Sequence, residues 1–125
     1  MFSLRVLLVD DEELVREATA RLLRHLGCEV TAFDSGFDAI QHYRRAWQSV
    51  DVVVLDMVMP LLDGKATFWA LRQINPRVDV ILASGFSVDG AAQSLLAEGA
   101  KAFLQKPFTL ATLAETLSGV VTPRA

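Results

Sequence analysis

The sequence is short of the devices that hold small or unusual folds together. Its 125 residues contain one cysteine, Cys28, so no internal disulfide is available. The two histidines, His25 and His42, lack the further cysteines and histidines that would complete a zinc site. No apolar run reaches the roughly 18 residues that a membrane-spanning helix requires. The 12 lysines and arginines are outnumbered by 15 aspartates and glutamates, for a net charge of -3. Such a balance leaves no basic stripe to neutralise nucleic-acid phosphates, so direct nucleic-acid binding is not expected. No charged leader followed by an apolar stretch opens the sequence, which with the lone cysteine sets the expectation of a reducing cytoplasm. Internal repeats and low-complexity tracts are absent too.

What is present is a chain 52% apolar and 22% charged, long enough for one domain with a sizeable core and far from the composition of disorder. One domain over residues 1–125 is expected, with a core of about 4–121 and a tail or linker start at 122–125. Short β-branched runs alternate with stretches of helical period, the pattern of βα units feeding a parallel sheet. Candidate strands are Arg5 to Asp10, Glu29 to Phe33, Val50 to Asp56, Val78 to Ser84 and Ala102 to Lys106. The first, third and fourth are nearly continuous in Val, Leu and Ile, as strands covered on both faces should be.

Between the strands, Leu14, Ala18, Leu22 and Leu26 recur at helical spacing and form the expected buried stripe of the first helix, ended by Gly27. The second helix runs from Ser35 to about Ala46. The third starts with Asp63 as N-cap and stops before Asn75-Pro76. A fourth lies within Asp89 to Glu98, closed by Gly99. The fifth buries Leu110, Leu113, Leu117, Val120 and Val121.

The apolar strands stop at informative residues: Asp10-Asp11-Glu12, Asp56, Ser84 and Lys106-Pro107. In an open α/β sheet the carboxyl ends of the strands border the ligand crevice, so these residues should converge. Two carboxylates about 4 Å apart repel by roughly 4 kcal/mol at an effective dielectric near 20. Gathering Asp10, Asp11 and Asp56 therefore calls for a cation. One candidate is Lys106, one of only three lysines. Another is a hard divalent metal such as Mg²⁺, held by a few carboxylates with coordination left open for phosphate oxygens. Singly, each residue has an ordinary explanation: a helix cap, a loop cap, a turn hydroxyl, a charge guarding a sheet edge. Their arrival together at four strand ends is what points to a site.

Four motifs carry a family resemblance: Leu8-Val-Asp-Asp-Glu12, Val54-Leu-Asp-Met-Val-Met-Pro60 followed by Asp63-Gly64, Ala83-Ser-Gly85, and Phe103-Leu-Gln-Lys-Pro-Phe108. In this order, over Leu4 to Val121, the chain resembles the receiver domain of two-component response regulators. The resemblance implies a flavodoxin-like, doubly wound α/β fold: a five-stranded parallel sheet of order 2-1-3-4-5 with five helices. It implies that Asp56 accepts a phosphoryl group from a histidine kinase or histidine phosphotransfer domain. Asp11 directly and Asp10 through water would hold Mg²⁺, with Asp56 and the backbone carbonyl of Val58. Ser84 and Lys106 would hold phosphoryl oxygens, Lys106-Pro107 would be a cis peptide, and Phe103 would be the rotating aromatic of a switch on the face of the fourth helix, fifth strand and fifth helix. Such a domain catalyses only its own phosphorylation and dephosphorylation. A linked kinase or effector would lie outside this chain, and homodimerisation stays open. The stretch from Ile81 to Phe108 resembles receivers of hybrid histidine kinases more than those heading transcription factors.

Several residues depart from the family pattern: Ser84 replaces the commoner threonine, Phe103 replaces tyrosine, and Gly85 is unusually small. Val58 and Phe86 put apolar side chains where the family tunes water access, so slow loss of phosphate is expected. Three other readings compete. A flavin-binding module would place a cofactor phosphate against Asp10 to Glu13, which would repel it. An aspartate-nucleophile phosphatase would want a second acid where Val58 stands. A degenerate receiver would serve only as an interaction surface. His25, His42 and the Arg44-Arg45 pair read as ordinary surface or boundary residues, Cys28 as a small hydrophobe, and Trp47 and Trp69 as side chains packed against the sheet.

Overall fold

The computed structural model describes residues 2–86, 88 and 90–120. Along the chain run β1 (Arg5–Val9), α1 (Glu13–His25), β2 (Glu29–Phe33), α2 (Gly36–Ala46), a 3₁₀ turn (Trp47–Ser49), β3 (Val52–Asp56), α3 (Gly64–Ile74), β4 (Val80–Ser84), α4 (Gly90–Ala97), β5 (Ala102–Gln105) and α5 (Leu110–Val120). All pairings are parallel, in the order β2-β1-β3-β4-β5.

Apart from Arg5, Asp56 and Ser84 at their ends, the central strands β1, β3 and β4 are apolar throughout, because alternate side chains serve two cores. Leu7, Val9, Val53, Leu55, Val80 and Leu82 pack with α2, α3 and α4, whereas Val6, Leu8, Val52, Val54, Ile81 and Ala83 pack with α1 and α5. Local signals set the helix ends. Ser35 caps α2 by accepting from the Asp38 N–H, and Asp63 caps α3 by accepting from the Ala66 N–H. Gly27 and Gly99, at φ 96° and 120°, end α1 and α4 in the left-handed region that favours glycine. Strands start or stop up to two residues inside the expected bounds, so Asp10 and Lys106 stand just beyond β1 and β5 rather than within them. Asp89, Val121 and the expected tail at 122–125 lie outside the described residues.

Two expectations about packing are corrected. The buried residues of α1 are Thr19, Ala20 and Leu23; of the expected stripe, Leu22 and Leu26 are half-buried against the same core, while Leu14 is 81% exposed and Ala18 is exposed. The helix is turned so that its core face lies next to the apparent stripe, and the first two residues of that stripe, Leu14 and Ala18, line the pocket at the strand ends instead. Trp47 and Trp69 do not pack against the sheet but are 36% and 39% exposed. The inward face of α3 is taken by Thr67, Phe68 and Leu71, and Trp69 meets the Phe68 ring edge-on at 5.3 Å. Cys28 is buried, His25 and the Arg44-Arg45 pair are exposed, and His42 is half-buried against Phe33. Among the described residues no helix is long and apolar enough to cross a membrane.

Candidate functional site

The carboxyl ends of β1, β3 and β4 and the loop after β5 meet in one pocket. Asp10 follows β1 directly; its N–H donates to the Phe33 carbonyl at 3.1 Å, and its Oδ1 accepts from the Glu12 N–H at 2.9 Å. Asp56 ends β3 and is 3% exposed. Its Oδ1 accepts from the Val58 N–H at 3.2 Å, so the chain turns sharply around this carboxylate. The turn requires Gly64, where a Cβ would stand 2.6 Å from both the Asp56 carbonyl oxygen and the Met57 Cα.

Lys106 ties the carboxylates together. Its backbone N–H donates to the Ser84 carbonyl at 2.7 Å, and it precedes a cis peptide to Pro107. Its Nζ lies 2.7 Å from Asp10 Oδ2 and 3.3 Å from Asp56 Oδ1. Burial pushes the Asp56 carboxyl up to about 7 and the nearby Asp10 charge adds to this, while Lys106 and the Val58 N–H pull it down. For Lys106, burial favours the neutral form, but the bond to Asp10 and the Asp56 charge outweigh it and hold the ammonium above its ordinary range.

One lysine does not satisfy three carboxylates. Asp10, Asp11 and Asp56 each offer an oxygen within 4.8 Å of the others. Asp11 Oδ1 and Asp56 Oδ2 are buried without a hydrogen-bond partner. Buried charge without a partner costs several kcal/mol or more, and oxygen donors at this spacing suit a hard divalent cation. The donor set therefore fits Mg²⁺.

Ser84 ends β4, its Oγ accepting from the Phe86 N–H at 3.1 Å. Gly85 has nothing within 4 Å of the position a Cβ would take, so no crowding explains its size. Phe103 lies on β5, half-buried against the core beneath α2, α3 and α4. Val58 and Phe86 flank the pocket at 57% and 66% exposure.

These features are those of one family. The family model of the response regulator receiver domain matches residues 6–118. The chain belongs to that family. It is 39% identical over 115 residues to the sensor kinase CckA of Brucella abortus, a match covering 92% of this chain but 12% of that protein. The chain thus spans a small part of that relative. A receiver domain protein from Clostridium thermocellum superposes with a TM-score of 0.88 at 29% identity, covering 94% of this chain and 93% of the other. The receiver domain of a sensor histidine kinase from Pseudomonas aeruginosa, with a magnesium ion coordinated in its active site cleft, gives 0.82 at 27% identity, covering 95% and 98%. The receiver is a phosphoacceptor of two-component signalling, and neither a flavin module nor a purely interacting relic is favoured. Receivers bind Mg²⁺ at this acidic site and work with histidine kinases or phosphotransfer domains.

Two features of the site escaped the sequence reading. Arg16 donates through Nη1 to the Asp10 backbone carbonyl at 2.9 Å, a bond to the main chain that leaves no pattern in the residue types. Beside the carboxylates lies a groove of about 820 Å³ whose apolar wall includes Leu14, Ala18, Leu22, Pro60 and Phe108. The misread stripe of α1 was its signal.

Proposed function

We propose that Asp56 is the residue that takes the phosphoryl group, from a phosphohistidine on a histidine kinase or phosphotransfer domain, and that this chain's activity is limited to its own phosphorylation and dephosphorylation. What supports the reading most is the pair of unpartnered buried oxygens, Asp11 Oδ1 and Asp56 Oδ2, in a cluster already contacted by Lys106. Asp10, Asp11, Asp56 and the Val58 carbonyl would hold Mg²⁺, which when bound neutralises charge on the transferring oxygens.

The residues of the chain do the rest. An Asp56 carboxylate oxygen forms the new P–O bond as the P–N bond to the partner's imidazole breaks, and the imidazole keeps that electron pair. Lys106 turns from its carboxylates toward a phosphoryl oxygen, and the Ser84 hydroxyl, now held by the Phe86 N–H, donates to another. The added charge draws the loop after β4 inward. Phe103 then rotates and alters the face formed by α4, β5 and α5. The apolar groove containing Leu14 and Phe108 suits a partner's helix, which would deliver the phosphohistidine to the adjacent carboxylate. On this reading the chain is one receiver with its core near 4–121, placed in the cytoplasm, and any linked kinase or effector lies outside it.

Metal dependence tests the arrangement. With acetyl phosphate as donor, prior chelation by EDTA should reduce labelling to background and excess Mg²⁺ should restore it. Labelling at the same rate in EDTA would overturn the assignment of the acidic cluster.

A further inference from the structure

Outside the phosphoacceptor pocket, the open edge of the sheet combines free backbone groups with a concentration of positive charge. We infer that the β2 edge and the arginine-lined cleft beside it form a docking site for an extended acidic polypeptide segment, which adds there as a sixth strand.

The ladder shows which groups are available. The Glu29 N–H donates to the Leu4 carbonyl at 2.8 Å, and the Phe33 carbonyl accepts from the Asp10 N–H at 3.1 Å. Alternate residues of a parallel strand bond to the same neighbour, so 29, 31 and 33 are committed to β1. Val30 and Ala32 consequently point their N–H and C=O groups away from the sheet. The register with β1 is continuous through five pairs, and β2 carries no proline or bulge to blunt the edge; its one charged side chain, Glu29, stands at the amino end of the strand, away from Ala32.

The charge lies beside those groups. A cleft of about 330 Å³ is lined by Arg16, Glu17, Ala20, Arg21, Arg24 and Ala32. Three guanidinium groups meet one carboxylate there, and among the described residues no ion pair holds Arg21 or Arg24. The two alanines leave the edge accessible, Ala32 itself being exposed. Backbone pairing would supply affinity and the arginines would select acidic side chains, the division of labour in strand addition. A second copy of this chain is the poorer occupant. Antiparallel pairing of two β2 edges sets both α1 helices on one side of the joined sheet, arginines facing arginines. Nucleic acid could meet the arginines but would leave the Val30 and Ala32 groups without their natural complement.

The test uses an alternating Glu-Val octapeptide on the full chain, followed by amide hydrogen exchange. Saturating peptide should slow exchange at Val30 and Ala32 by about tenfold or more, because those N–H groups become hydrogen-bonded. Arg21→Glu with Arg24→Glu should weaken binding by about tenfold, more than single surface pairs usually contribute, since both changes reverse charge. Ala32→Pro should abolish binding with the circular dichroism spectrum kept, proline being tolerated where a strand N–H faces outward. A Glu-Pro octapeptide of equal charge should not bind. Unchanged exchange at Val30 and Ala32 would overturn the inference. So would equal binding by the Glu-Pro peptide, or displacement of the Glu-Val peptide by a single-stranded oligonucleotide of equal charge, either of which would leave only charge attraction. Arg16 is left intact throughout because it also bonds Asp10.

Discussion

The Lys106 ammonium stands 3.3 Å from Asp56 Oδ1, held there by the loop after β5. Among the described residues it is the cation paired with the Asp10 and Asp56 carboxylates, and the proposed transfer uses it to carry charge that builds on the phosphoryl oxygens. Lys106→Met should slow phosphorylation by acetyl phosphate by about 10²-fold, the scale on which single preorganised electrostatic groups act. Intact-mass time courses measure it. A rate within a few-fold of wild type would remove Lys106 from the chemistry.

Titration of Asp56 gives a signed prediction for stability. Its carboxyl is raised from 3.8 to about 7 in the folded chain. Between those values the folded state keeps a proton that the unfolded state has lost, so stability without metal falls as pH rises through this window and levels off above it. Asp56→Asn should be more stable than wild type near pH 8 and indistinguishable from it near pH 4. Mg²⁺ should stabilise wild type more at the higher pH, where it need not displace the proton. Urea denaturation at both pH values, with and without Mg²⁺, checks both signs.

The two leucines of α1 separate packing from function. Leu23 is fully buried, and Leu23→Ala should cost about 2–5 kcal/mol. Leu14 is 81% exposed, and Leu14→Ala should change stability by no more than about 0.5 kcal/mol. Leu14→Glu should leave acetyl phosphate labelling intact while slowing transfer from a phosphorylated histidine phosphotransfer protein. Equal transfer by the variant and wild type would remove the groove from partner docking.

Much of this was legible along the chain because the central strands are buried on both faces and end abruptly in polar residues. Asp10, Asp56 and Ser84 announce themselves by interrupting Val, Leu and Ile runs, and Asp63 and Gly64 declare the start of α3. Periodicity alone could not orient α1, since Leu14, Ala18, Leu22 and Leu26 repeat as well as a core stripe does. Whether such a stripe meets the sheet or overhangs its rim depends on where the strand before it ends. Trp69 is out of reach of the sequence for a related reason: aromatic mass favours burial, but Phe68 and Leu71 fill the inward face of α3. The contact of Arg16 with a carbonyl, and the sharing of Lys106 between Asp10 and Asp56, depend on three-dimensional placement that residue types do not encode.

Val58 and Phe86 flank the pocket with apolar surface on the side open to solvent. If they screen the water that attacks an aspartyl phosphate, the phosphorylated form should outlast a half-life of seconds in Mg²⁺. Val58→Ala with Phe86→Ala should shorten that half-life several-fold at unchanged labelling rate. Decay followed by intact mass after removal of the donor is the measurement. Decay within seconds in wild type, or an unchanged half-life in the double variant, would contradict the screening role.

The identity of the phosphoryl acceptor is open to direct chemistry. Borohydride reduces an acyl phosphate on aspartate to homoserine, marking the residue that carried it. After incubation with Mg²⁺ and acetyl phosphate, reduction and peptide mass spectrometry should find homoserine at position 56, and Asp56→Asn should yield none. Homoserine at position 10 or 11, or a phosphate retained by Asp56→Asn, would contradict the account.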